Sequence, residues 1–311
     1  MTPLELLASF RGRRVVVLGD LMLDEYVYGR ATRISQEAPV MVVRQARFEA
    51  VPGGAANVAA NIAALGAEVA LAGVVGDDEA GARLQLALEE KGTGRLALVK
   101  DPGRPTTRKT RILADAAHQV LRVDHESDLP LASGQEGELI DALRGLLEPR
   151  PDVLLLSDYV KGTLTDAVAA FALSTGIPVV ANAKPASAGR YRDAELVSLN
   201  RPETEGLVGR AVGAETAVRD AAEVVERIGC RHALVTLSGD GMATEAFFVP
   251  PVPVEVFDAA GAGDTTIAAV ALGLTSVGFR PEVFALAARL SAAVVRKVGV
   301  AVPSSEDLAA L

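Results

Sequence analysis

The sequence predicts an α/β fold: a central, mostly parallel sheet flanked by helices, with a small antiparallel β lid beside it. Short runs rich in Val, Ile and Leu alternate with longer Ala- and Leu-rich amphipathic stretches, as expected of βαβ units around a buried sheet. Several of the amphipathic stretches end at a glycine suited to a C-terminal cap, at Gly66, Gly92, Gly176, Gly229 and Gly299. Two further regions read as strands joined by turns with no helix between them, which does not fit a βαβ series and gives the lid.

Taken in order, the strand runs are residues 14–18, 69–75, 153–157, 178–181, 196–199 and 233–237. The helical stretches between and after them are 55–65, 80–91, 135–147, 165–174, 216–228, 262–275 and 281–298. Residues 25–30 with 40–46, and 106–114 with 119–124, supply the lid strands. With no Pro/Ser linker, internal repeat or low-complexity tract, the expectation is a single domain, 1–311, with lid strands inserted around 25–50 and 106–124.

Composition excludes several classes. The 311 residues carry 31 Lys plus Arg against 40 Asp plus Glu, a net charge of −9, so there is no general attraction to nucleic acid or an anionic membrane. Any phosphate must be held by local groups. A single cysteine, Cys230, rules out an internal disulfide or a thiolate metal cluster and suits a reducing compartment. Apolar runs too short to span a bilayer, and no signal-peptide pattern at the N-terminus, complete the expectation of a cytoplasmic protein.

A census of absent motifs narrows the chemistry. After the first strand, Gly19 is followed by Asp20, Leu21 and Met22, so the dinucleotide fingerprint is missing, and no Gly-Lys pair exists for a Walker loop. There is no G-x-S-x-G and no H-E-x-x-H, and His118, His125 and His232 lack metal-site spacing.

Three segments point toward phosphoryl transfer. Asp258-Ala-Ala-Gly-Ala-Gly-Asp264-Thr-Thr precedes a long Ala-rich helix, so the amides of Gly261, Ala262 and Gly263 make an anion site at a positive dipole end. Asp264 beside it is placed to accept the proton of an attacking hydroxyl. A tight turn with a dipole-favouring carboxylate explains the same residues structurally. Pro52-Gly53-Gly54-Ala-Ala-Asn57 leads into a helix, where paired glycines admit a close polar ligand and Asn57 offers donor and acceptor to hydroxyls, or simply starts a helix. Gly19-Asp20-Leu-Met-Leu-Asp24 puts Asp20 at the carboxyl end of a central strand, where open α/β sheets bind ligands, to accept sugar hydroxyls or to cap a loop.

Together the Gly53-Gly54-Ala-Ala-Asn57 and Asp258-to-Asp264 segments resemble the two signatures of the PfkB, or ribokinase-like, carbohydrate kinases. The resemblance implies an ATP-dependent kinase using Mg²⁺, often dimerised through its lid, with a monovalent cation such as K⁺ near Asp258. The segments around Val17–Tyr26, Arg33–Val40, Pro105–Leu113, Gln119–Asp124 and Leu156–Gly162 are similar to one branch, the D-glycero-β-D-manno-heptose 7-phosphate kinases. That branch makes heptose 1,7-bisphosphate for ADP-heptose and lipopolysaccharide core. Its kinase is often fused to a nucleotidylyltransferase, and with Leu311 ending this chain the expectation is a separate partner for that second activity.

The charges suit a phosphorylated sugar. Lys109 and Arg111, two apart on a strand, share a face from which both could meet one phosphate, unless they are edge-strand charges, and Lys161 follows a central strand as a third cation. Asn200-Arg-Pro-Glu203 resembles the family's N-x-x-E motif, which places Glu203 near Mg²⁺ through water; a helix start is the structural alternative. Thr236-Leu-Ser-Gly239-Asp-Gly241 resembles the loop under the ATP phosphates, or a hairpin turn into a strand at 245–249.

This chain departs from the resemblance at Asn182-Ala-Lys184, where relatives carry Asp-Pro-Lys, and at Leu237 and Gly239, where they carry Arg and Glu. Lys184 is retained and offers a point charge to an ATP phosphate. Two other readings stay open: a kinase for another sugar or sugar phosphate, and a weakly catalytic sugar-binding regulator.

Overall fold

The computed structural model describes residues 1–115 and 118–311. The chain runs α1 (Pro3–Ala8), β1 (Arg14–Ile34), β2 (Met41–Gly54), α2 (Ala55–Ala64), β3 (Glu68–Gly76), α3 (Glu79–Glu90) and β4 (Arg95–Asp101). It continues through β5 (Thr107–Ala114), β6 (His118–His125), α4 (Ser133–Leu146), β7 (Val153–Ser157), α5 (Asp166–Ser174), β8 (Val179–Asn182), β9 (Leu196–Asn200), α6 (Arg201–Val208) and α7 (Ala217–Ile228). The last elements are β10 (Ala233–Thr236), β11 (Met242–Thr244), β12 (Phe248–Val249), α8 (Ala262–Val277), α9 (Pro281–Val294) and α10 (Ser305–Ala309).

The main sheet has the order β12-β11-β10-β9-β8-β7-β1-β3-β4. From β10 to β4 all neighbours are parallel, and β11 and β12 extend the edge antiparallel. Alternation along β1 sends Val15 and Val17 into the core beneath α2, α3, α8 and α9, and Val16 and Leu18 into the core beneath α4, α5 and α7. Both faces are thus covered, which is why the central strands read as continuous apolar runs. The carboxyl ends of β1, β7, β8 and β9 bring Asp20, Asp158, Asn182 and Asn200 to one edge.

Several expectations change. Residues 14–18 and 25–30 were expected as separate strands, but β1 is one ribbon that leaves the main sheet and becomes the lid's central strand. It pairs with β3 as far as Asp20 and with β5 from Met22. No Pro interrupts it, and residues 15–26 are buried, so nothing stops the pleat. The lid is accordingly not purely antiparallel: β1 with β2 and β5 with β6 are antiparallel, but β1 with β5 is parallel. β2 extends to Gly54, so Pro52-Gly53-Gly54 is strand rather than turn. α9 stops at Val294, four residues before the expected 298, where the chain turns to meet Asp258. The strand expected at 245–249 is instead β11 and β12, α6 realises the helix start given as the alternative at Asn200–Glu203, and α1, β4 and α10 were not foreseen.

Candidate active site

At the start of α8, Gly261 is the N-cap in a left-handed conformation (φ 82°). A Cβ there would lie 3.0 Å from the Asn57 side-chain nitrogen, so glycine is required both for the turn and for the neighbour. Ala262 N–H bonds Ala259 O at 3.3 Å, removing that amide from the anticipated anion site. The amides of Gly263 and Asp264 belong to the first helical turn, where no intrahelical carbonyl reaches them, and remain for an anion.

Asp264 is 4% exposed and sits beside these amides. Its Oδ2 accepts from Asn57 Nδ2 at 2.7 Å and its Oδ1 from the Tyr159 hydroxyl at 2.7 Å. Burial pushes its carboxyl up to about 6, although both hydrogen bonds oppose the shift. Asn57 is therefore a partner of Asp264, with one of its two amide hydrogens committed to that carboxylate. A buried chain continues through Asn61, which donates to Asn57 O at 2.9 Å and accepts from the Thr265 hydroxyl at 2.7 Å. Tyr159 was not singled out in the sequence; only its place between the end of β7 and Lys161 pointed toward it.

Of the two carboxylates of β1, Asp20 takes the loop-capping alternative, and Asp24, of which no role was expected, lies beside the glycine pair. Asp20 accepts the backbone amides of Tyr159, Lys161 and Thr163 at 2.8, 3.0 and 3.1 Å, so it braces the 158–163 loop instead of facing a sugar. Burial and the nearby Asp158 raise its carboxyl, and hydrogen bonds from Lys161, Thr163 and Tyr159 oppose that. Asp24 is the carboxylate beside the glycine pair: a Cβ on Gly53 would fall 1.9 Å from its Oδ2. It is ion-paired with Arg111, and its negative charge adds to the burial that raises Asp264.

Lys109 and Arg111, anticipated together on one phosphate, hold different carboxylates in this structure. Arg111 is engaged by Asp24, whereas Lys109 Nζ reaches Asp124 at 3.2 Å and Glu126 at 3.1 Å. Lys161 Nζ contacts the same Glu126 at 2.7 Å and Asp128 at 2.7 Å. The cations brought together are thus Lys109 and Lys161.

On the other side, Asn200 and Glu203 form a capping box on α6: Glu203 N–H donates to Asn200 Oδ1 at 3.0 Å and Asn200 N–H to Glu203 Oε2 at 2.7 Å. The other Glu203 oxygen is ion-paired with Lys184, whose Nζ lies 4.9 Å from the Tyr159 ring centre. A cavity of about 350 Å³ is lined by Asn200, Thr236, Gly239, Gly241, Ala262 and Gly263, closed by Val252, Val254, Thr266 and Ser291. The 236–241 segment is the turn of the β10–β11 hairpin, with Leu237 N–H bonding Gly241 O at 2.8 Å. A larger groove of about 610 Å³ adjoins it between residues 249–254 and α9, and holds none of the residues singled out for chemistry. Asp258 accepts from Ala260 N–H and Gly299 N–H, both at 2.9 Å, tying the α8 approach to the segment after α9.

This arrangement puts a buried carboxylate and free helix-start amides between a mostly apolar cavity and a lid with cations. Residues 13–307 match the family model described as pfkB family carbohydrate kinase. The chain belongs to the pfkB family. It is 44% identical over 271 residues to the Bifunctional protein HldE of Citrifermentans bemidjiense, covering 84% of this chain and 55% of that protein. It is 39% identical over 311 residues to the HldE of Bradyrhizobium diazoefficiens, covering 96% and 63%. This pfkB chain therefore spans little more than half the length of the curated relatives it matches. Among solved structures, Escherichia coli phosphofructokinase-2 in complex with potassium superposes with a TM-score of 0.79 at 20% identity, covering 96% of this chain and 97% of that one. Arabidopsis thaliana ribokinase complexed with ribose and ATP gives 0.74 at 20% identity, covering 96% and 98%. At that identity the two likenesses establish the ribokinase-like fold. No helix among the described residues is long and apolar enough to cross a membrane.

Proposed function

We propose that this chain transfers the γ-phosphoryl group of ATP to the anomeric hydroxyl of D-glycero-β-D-manno-heptose 7-phosphate. The relatives named HldE support the substrate class. The observation that carries the reaction is Asp264, buried beside the Gly263 and Asp264 amides and held from both sides by Asn57 and Tyr159. As a carboxylate above pH 6 it takes the proton of the sugar hydroxyl while the amides stabilise charge on the moving phosphoryl group.

The nucleotide belongs in the cavity between Gly239, Gly241 and α8, with Asn200 in its wall and Lys184, ion-paired to Glu203, as the cation for its phosphates. Asp24 and Arg111, at the backbone space left by Gly53 and Gly54, face the sugar, and Lys109 with Lys161 take the 7-phosphate. No group of three or more His, Cys, Asp or Glu among the described residues could hold a metal directly. Mg²⁺ therefore fits as an ion carried by the ATP phosphates, meeting Asn200 and Glu203 through water and neutralising phosphate charge. Asp258 accepts one amide on each carboxylate oxygen and so retains lone pairs, hard oxygen donors compatible with K⁺. Exposed Ile34, Val40, Met41, Leu121 and Val123 on the lid suit a homodimer formed through it, and a nucleotidylyltransferase is the downstream activity.

Coupled ADP release with Mg-ATP, across heptose 7-phosphate, fructose 6-phosphate, ribose and no sugar, tests the reading. Fast turnover with the heptose phosphate alone supports it. Preference for another sugar overturns the substrate and keeps the mechanism, and no turnover with any sugar favours a binding protein.

A further inference from the structure

Lys109 and Lys161 come from different parts of the chain, one from the lid strand β5 and one from the loop after β7, yet one side chain joins them. Glu126 gives Oε2 to Lys109 at 3.1 Å and Oε1 to Lys161 at 2.7 Å. Each lysine has one further carboxylate, Asp124 at 3.2 Å or Asp128 at 2.7 Å, but Glu126 is the one carboxylate among the described residues that touches both. Two oxygens of a single anion, one on each ammonium, is also how a phosphate monoester would bridge the pair.

Glu126 is a tethered anion that can leave. Its side chain is 23% exposed, and the lysines are 18% and 17% exposed, so all three groups are in contact with solvent and an incoming anion can reach the ammoniums from that side. It belongs to the 126–132 stretch, which has neither helix nor strand. That stretch is pinned further on: Arg104 donates to Leu129 O at 2.8 Å and to Lys161 O at 3.1 Å, and Leu131 N–H bonds Gly162 O at 3.2 Å. Glu126 can therefore rotate out without undocking its own segment. The lysines also hold its carboxyl low, outweighing the burial that would raise it, so it stays an anion across the working pH range.

We infer that Glu126 is an internal stand-in for the substrate phosphate, holding Lys109 and Lys161 at bridging distance in the empty site and being displaced when a phosphorylated sugar binds. A competitor on a short tether acts at millimolar effective concentration, so it weakens phosphate binding. The consequence is specificity: a sugar lacking the phosphate cannot displace Glu126, and neither lysine is left bare to capture unrelated anions. The inference rests on reading the two lysines as phosphate contacts, but not on which sugar carries the phosphate.

Calorimetric titration with inorganic phosphate at low ionic strength tests it on the wild-type chain, Glu126→Gln and Glu126→Ala. Both variants should bind phosphate about fivefold to tenfold more tightly, the gain expected from removing one partly exposed pair on each lysine. Adding Lys161→Ala to Glu126→Gln should abolish the gain. In turnover, Glu126→Gln should lower KM for the heptose 7-phosphate while leaving KM for ATP unchanged. Phosphate binding unchanged or weakened in both single variants, but still lost with Lys161→Ala, overturns the role of Glu126 and keeps the lysine subsite. Binding indifferent to Lys161→Ala, or none in any chain, overturns the subsite and the inference together.

Discussion

Asn57 on α2 donates its side-chain amide to Asp264 on α8 at 2.7 Å, joining residues 207 positions apart in the sequence. The two glycine-rich segments are thereby one unit, since the first orients the carboxylate that the second supplies. Asn57→Ala should lower turnover by roughly tenfold to a hundredfold while KM for ATP is unaffected, because a buried charge-assisted hydrogen bond contributes about 1.5–3 kcal/mol. Steady-state kinetics varying each substrate separately checks it; an effect confined to sugar KM would mean Asn57 contacts hydroxyls after all.

Tyr159 is the second donor to Asp264, and its own hydroxyl is pushed well above the usual range by burial and by that carboxylate. Tyr159→Phe removes a bond that favours ionised Asp264, so the acid limb of the kcat/KM profile should move up from near pH 6 by about one unit. A profile that loses height without moving would assign Tyr159 to packing alone.

The same raised carboxyl has a stability consequence. Folded Asp264 holds its proton to about pH 6 while the unfolded chain releases it near 3.8, so between those values the folded state binds more protons. Its contribution is therefore largest below pH 3.8 and lost as pH rises through 6. Asp264→Asn should abolish turnover yet raise the melting temperature at pH 8 relative to wild type, with the difference shrinking toward pH 4. Equal or lower melting at pH 8 would show that Asn57 and Tyr159 fully compensate the buried charge.

For Asp20 the expectation is structural. Asp20→Ala strips three buried amides of their acceptor and should destabilise the chain by about 2–4 kcal/mol, read as a lower denaturant midpoint. Gly53→Ala acts oppositely: its methyl would meet Asp24 at 1.9 Å, so sugar KM should rise at least tenfold with ATP KM unchanged. Reversed outcomes would return Asp20 to the sugar site.

These contrasts show what the sequence carried. The start of α8 was legible because Gly261, Gly263 and Asp264 act through local helix geometry, and the parallel sheet because both its faces are apolar. Asp20 and Asp24, four apart on one strand, could not be told apart: the amides that occupy Asp20 lie 139 to 143 residues downstream. Tyr159 escaped for the same reason, lying 105 residues from its partner. Glu126 sits in a stretch without periodicity, so nothing local marked it. Asn200 and Glu203 carried two meanings at once, a motif and a capping box, and the capping box is what the structure realises.

The continuity of β1 limits how the cleft can open. Asp20 is its last residue paired to β3 and Met22 its first paired to β5, so at the junction Leu21 is paired only to Gly54 of β2. A cover made from the extension of a floor strand cannot swing on a loop, as a flap would. It is built as the free end of a cantilever, so any opening would have to come from twisting of β1 near that junction. The same strand carries Asp20, which braces the loop holding Tyr159, and Asp24 four residues further on in the lid, so a twist between them would shift Asp24 relative to that loop. Access and alignment are then a single mechanical coordinate.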